Sequence, residues 1–243
     1  MKYYLKWAVV VTILCVVLST TASGHEMYYV PNGPSTYITY PLKFYDTTSY
    51  YGPELKVYTY FPNTTAGNKY SSQYQAGVSA WSGMHNGTVL ITTQYVSSYS
   101  NSNVNITVMT DSLRTAHNIS PNTLGYSILF GMDGSMIKTY AQASSQTYIK
   151  SATILLTDDL TDFGYGSITT SELNNRIQKT TAHEIGHAIG LGHPHTYYPI
   201  PATTPSVMKQ GFYSTDATNP IPKTPAAHDK SDLYKKYYQN LST

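Results

Sequence analysis

The chain has 243 residues, a formal charge of +2 and a mean hydropathy of −0.28, with only 12% of its residues charged. That length holds one good-sized domain or two small ones. No basic patch argues for nucleic acid and no acidic tail for a solvating arm. Tyr is abundant (25) where Phe is scarce (5), a polar but uncharged style that suits an extracellular protein.

Residues 1–24 read as a secretory signal peptide: Lys2 and Lys6, an apolar run from Trp7 to Leu18, then small residues, with cleavage after Ala22 or Gly24. The apolar run is short of the roughly 20 residues a membrane span needs, so no stable span is expected after cleavage; an uncleaved anchor is the alternative. Cys15, the only cysteine, lies inside that run. The mature chain would then have no disulfide, and any staple must come from core packing or metal. Five Asn-x-Ser/Thr sequons, at Asn63, Asn86, Asn105, Asn118 and Asn240, matter only in a cell that glycosylates secreted proteins.

Residues 25–52 are rich in Tyr and Pro without helical period and are read as an N-terminal extension or short pro-segment; residues 53–243 form the domain. Glu54–Phe61 alternates as a strand does. Tyr74, Val78 and Trp81 have helical spacing within Tyr70–Met84, and Trp81 is read as core. Strands are predicted at Thr88–Val96, Asn103–Thr110, Leu124–Phe130, Met136–Ala141 and Ser151–Thr157. Thr169 and Glu172 have the spacing of a capping box, opening a helix whose Leu173, Ile177, Thr181, Ile185 and Ala188 share a face and whose natural stop is Gly190. A Pro-rich irregular stretch runs to Pro225, and His228–Gln239 reads as a terminal helix with Leu233, Tyr234 and Tyr237 inward. Strands first and helices last argue an α+β fold, a twisted sheet with helices packed against it.

The stretch "TAHEIGHAIGLGHP" (Thr181–Pro194) carries the chemistry. His183 and His187, four apart on a helix, stand on one face with Cβ atoms about 5–6 Å apart and can share one tetrahedral zinc. Glu184, turned roughly 100° from His183, stands beside the metal and can take a proton from water there. Gly190 lets the backbone adopt positive φ and turn back, so that His193 reaches the same ion. A fourth position left open marks a catalytic rather than a structural site. By residue frequencies the full pattern arises by accident about once in 10⁵ chains of this composition.

The pattern His-Glu-x-x-His-x-x-Gly-x-x-His resembles the metzincin metalloproteases. The resemblance implies a mostly parallel mixed sheet with an active-site helix and a C-terminal helix, and a methionine turn beneath the metal, which Met208 in "PSVMKQG" would supply. Some subfamilies place a Tyr ligand two residues after that Met; here the position is Gln210. That, with the compact size and the terminal helix carrying Asp232-Leu233, makes the chain most similar to the matrixins. Pro194 and His195 depart from the usual matrixin residues after the third His, and no pro-segment cysteine can occupy the zinc.

Motif and resemblance together imply a secreted, monomeric zinc endopeptidase acting on protein or peptide substrates: one catalytic zinc held by His183, His187 and His193, with Glu184 as general base. The resemblance places the substrate along an edge strand near Met136–Ala141 and makes Lys209–Pro225 the wall past the scissile bond. Asp158, Asp159 and Asp162 could bind calcium, but an ordinary solvated loop is the preferred reading. His195 could be a substitute ligand or line the cleft, but solvent exposure is the preferred reading, and His25, His85, His117 and His228 lack partners at ligand spacing. Two other readings are a non-catalytic zinc-stabilised surface or adhesion protein, which would have no need of Glu184, and a hydrolase of cell-wall peptides, for which no wall-binding module is present.

Overall fold

In chain order the elements are β1 (Lys43–Phe44), β2 (Glu54–Tyr60), α1 (Thr65–Ser79), β3 (Gly83–His85), β4 (Val89–Tyr95), a 3-10 turn (Tyr99–Asn101), β5 (Val104–Val108), α2 (Asp111–His117), β6 (Gly125–Gly131), β7 (Tyr148–Leu156), α3 (Thr170–Ala188) and α4 (Ala227–Tyr237). The computed structural model describes residues 43–45, 52–61, 65–85, 87, 89–137, 148–193, 205–209 and 222–237. The predicted signal peptide, most of the predicted 25–52 segment, His195, and all of Lys209–Pro225 except Lys209 and residues 222–225 lie outside the described residues.

The strands form one mixed sheet. Across it run β3, β4, β2, β5 and β7, with β6 pairing β7 beyond that path and β1 joining the first residues of β7. The β4–β2–β5–β7 pairings are parallel; β3–β4 and β6–β7 are antiparallel. This is the expected α+β architecture with a mostly parallel mixed sheet. Central parallel strands are covered on both faces, and four of the five β5 residues are buried. Side-chain alternation along β6 and β7 divides the apolar residues between two cores. Leu129, Ile154 and Leu156 join the main core with Trp81, Ile177 and Ile185. Ile128 and Leu155 join a smaller one with Met109 and Ile119.

The predicted strands at β2, β4, β5, β6 and β7 agree with the structure to within a few residues. The first helix does not keep its predicted span. It begins at Thr65 and ends at Ser79, with a kink at Tyr70. Tyr70, Tyr74 and Val78 are buried as their spacing requires, but Trp81 enters the core from the turn after the helix. Gly83, at φ 108°, then starts an antiparallel pair with β4. Helix α2 is not among the predicted elements: seven residues are too few for a period to show. Its signals are local, a Thr110 cap on Leu113 N–H and Asn118 at φ 53°. The described end of the predicted Met136–Ala141 strand lies along β6: Met136 makes an antiparallel bridge to Phe130 and Ile137 N–H donates to Leu129 O (2.9 Å). Residues 138–141 lie outside the described residues, and the antiparallel strand flanking β7 is β6. Lys43 and Phe44, within the predicted extension, pair with Tyr148 and Ile149 in the sheet.

Candidate metal centre

Helix α3 starts where Thr169 accepts the Glu172 N–H (3.2 Å). Every residue from Lys179 to Ala188 is buried, so this half is enclosed on all sides. Helix α1 comes close because Gly77 has no side chain; a Cβ there would lie 2.5 Å from that of Thr181. Trp81 Nε1 donates to the Ala182 carbonyl at 2.7 Å. Gly186 faces Met208, whose Sδ would be 2.3 Å from a Cβ at that position. The helix ends in a Schellman arrangement: Gly190 at φ 90° donates to His187 O (2.8 Å) and Leu191 to Gly186 O (2.9 Å). That reversal carries the chain back over the last turn and delivers His193.

His183, His187 and His193 converge through their Nε2 atoms. The separations are 2.8 Å (His183–His193), 3.2 Å (His183–His187) and 3.2 Å (His187–His193). The opposite ring nitrogens of the two helical histidines are committed: His183 Nδ1 donates to Val207 O (2.9 Å) and His187 Nδ1 to Leu191 O (2.8 Å). A carbonyl only accepts, so each Nδ1 carries the hydrogen and each neutral ring presents a bare Nε2. Two bare lone pairs at 3.2 Å repel unless a cation lies between them. Burial, followed by the Lys179 charge and the other two rings, holds His183 well below its ordinary pKa, so a proton is a poor candidate for that cation. Tetrahedral bonds of about 2.0–2.1 Å place nitrogens about 3.3 Å apart, close to the spacings found. The three residues could hold a metal ion, and among the described residues they are the only such His/Cys/Asp/Glu group.

Glu184 is also buried. Its Oε2 accepts from Ser127 Oγ at 2.7 Å, across from β6. Burial pushes its carboxyl up to about 7, against the Ser127 hydrogen bond and the Lys179 charge. Lys179 is itself pulled down to about 8 by burial, opposed by Glu184 and Asp229, and its ammonium donates to Lys209 O at 2.7 Å.

Met208 lies in the turn 205–209, and a single carboxylate organises that turn. Asp229 accepts from Ser206 Oγ (2.6 Å), Val207 N–H (3.0 Å) and Ala226 N–H (2.8 Å). The last contact is half of a capping box for α4. The resemblance rests in part on Asp232-Leu233 of the terminal helix. Leu233 is core, but Asp232 pairs with His228 (3.2 Å) one turn away, and Asp229 is the acid that reaches the site. Asp229, Ser127 and Lys179 all escape the sequence reasoning. Ser127 alone leaves a sequence signal, a lone hydroxyl on the inward face of an apolar strand.

Among the described residues, the other predicted positions do not join this centre. Asp162 accepts from Thr157 (2.7 Å) and lies 3.7 Å from Arg114. Asp159 accepts from Thr161 (2.8 Å to its N–H), and among the described residues Asp158, Asp159 and Asp162 do not form a metal-ligating group. His117 stands near Tyr126 with ring centroids 6.5 Å apart. Asn105 is buried on β5, whereas Asn118 is exposed. No helix among the described residues is long and apolar enough to cross a membrane.

No family model matches the chain, and no curated protein matches it. Among solved structures, one described as "Structure of myroilysin" aligns over 76% of this chain and 93% of that one, at 15% identity and a TM-score of 0.39.

Proposed function

We propose that the chain is a zinc-dependent endopeptidase of the metzincin type, secreted through its predicted signal peptide, with Glu184 as general base. One observation carries the reading: bare imidazole nitrogens from His183 and His187 meet His193 at a common point, with a buried carboxyl one residue from the first ligand. Zinc bound there would polarise a scissile carbonyl and lower the pKa of water. His183, His187 and His193 would hold it as neutral rings, the first and second oriented by the Val207 and Leu191 carbonyls. Glu184 accepts a proton from water as the water oxygen bonds to the carbonyl carbon, then gives it to the amine nitrogen as the C–N bond breaks. Burial raises this carboxyl in the metal-free chain, the direction required of a group that must both take and return a proton. Met208 supports the floor and takes no part in the proton transfers. An extended substrate would add to the outer side of β6 beside Gly125–Ser127, the strand segment that abuts Glu184. The matrixin subfamily is the finer reading, supported by Gln210 in place of a Tyr ligand.

The test incubates purified protein with casein and with wall peptides, with and without a chelator, beside Glu184→Gln. Casein cleavage that the chelator abolishes, and that Glu184→Gln loses by about 10²–10⁴-fold while keeping its metal, is expected. A metal-loaded protein inert toward every polypeptide defeats the reading. Cleavage of wall peptides alone moves the substrate class.

A further inference from the structure

Alternation along β6 sends Tyr126 and Ile128 to the smaller core and Gly125 and Ser127 to the face that meets α3. There both meet the Glu184 side chain. Ser127 Oγ lies 2.7 Å from Glu184 Oε2 and 3.0 Å from the Glu184 carbonyl. A hydroxyl has one proton to give, and the carboxylate, closer and charged, makes the stronger bond. Two residues back on the same strand face, a Cβ on Gly125 would fall 2.6 Å from Cγ and 2.7 Å from Oε1 of Glu184. A glutamate carboxyl turns freely about its last torsion. Here one oxygen is pinned by a hydroxyl, and the side chain occupies space that only a glycine leaves open.

We propose that Ser127 and Gly125 are positioning residues for Glu184: Ser127 holds Oε2, and Oε1 is the oxygen that exchanges the proton with water and the leaving amine. The inference rests on the general-base role proposed above. A purely structural Ser127 would satisfy a buried acid and change stability alone. A positioning Ser127 changes the rate of proton transfer, because a misplacement of about 1 Å can cost about 10² in rate.

Ser127→Ala is therefore expected to lower kcat about 10–100-fold, with KM and zinc stoichiometry within about twofold of wild type. Gly125→Ala, whose methyl crowds Cγ and Oε1 of the same side chain, should lower kcat comparably with Ser127 in place, and gives a second reading if Ser127→Ala does not fold. Kinetics on one peptide substrate, zinc content and the unfolding midpoint are measured on each variant. Wild-type kcat in either folded variant overturns the proposal, as does a loss confined to KM or zinc content. An active wild type with unaffected variants defeats this inference alone, whereas an inert wild type defeats the endopeptidase reading and this inference with it.

Discussion

A proton on Glu184 is worth measuring apart from catalysis. Burial raises this carboxyl from 4.5 to about 7, so between those values the folded chain keeps a proton that the unfolded chain has lost. Stability from this group is full below pH 4.5, falls as pH rises to about 7 and is flat beyond, a swing of about 3 kcal/mol. His183 acts in the opposite sense. Held well below 6.5, it stays neutral while the unfolded chain takes up a proton, so its contribution grows as pH climbs toward 6.5. Comparison of metal-free wild type with metal-free Glu184→Gln isolates the carboxyl. Urea midpoints taken at steps from about pH 4.5 to about 7 should show wild type losing about 3 kcal/mol relative to the variant. A constant gap would mean the carboxyl does not hold that proton.

At the scale of elements, the centre depends on how α3 ends and how the Met208 turn is held. Gly190 sits at φ 90°, where a side chain is strained, so Gly190→Ala should cost about 1–3 kcal/mol. Because His193 follows that bend by three residues, zinc titration should also show weaker binding; thermal unfolding and titration read the two effects separately. Asp229 acts from further off. Its oxygens hold Ser206 and Val207, and the Val207 carbonyl orients His183. Asp229→Ala leaves three donors of the turn and the α4 entrance without their acceptor, at about 2–4 kcal/mol. Loss of an outer partner of a ligand lowers metal affinity by about 10–100-fold, and a competing chelator would measure it. Unchanged affinity would detach α4 from the metal centre.

Across the whole molecule, Tyr237 joins three distant segments. Its hydroxyl accepts from Phe44 N–H (3.0 Å) and donates to Ile189 O (2.8 Å). Strand β1, helix α4 and the end of α3 thus meet at one buried oxygen. Tyr237→Phe keeps the ring and leaves both backbone groups unpaired, so a lower urea midpoint worth about 1–3 kcal/mol is expected. Wild-type stability would show that water reaches these groups.

His183, Glu184, His187, Gly190 and His193 could be read from the chain because they fall within eleven residues, where the end of one helix and one glycine bend fix their relation locally. The main strands were visible for the same reason, since alternation is a property of a single segment. Periodicity tells which face of its own element a residue occupies and nothing about the neighbour that face will meet. Ser127 reaches Glu184 across 57 residues, Tyr237 reaches Ile189 across 48, and Asp229 reaches Val207 across 22. Those meetings come from the register of β6 on β7 and the packing of α3 and α4, which the joint burial of many side chains decides. The sequence by itself determined that three imidazoles would converge beside a carboxyl; the tertiary packing decided which groups orient them.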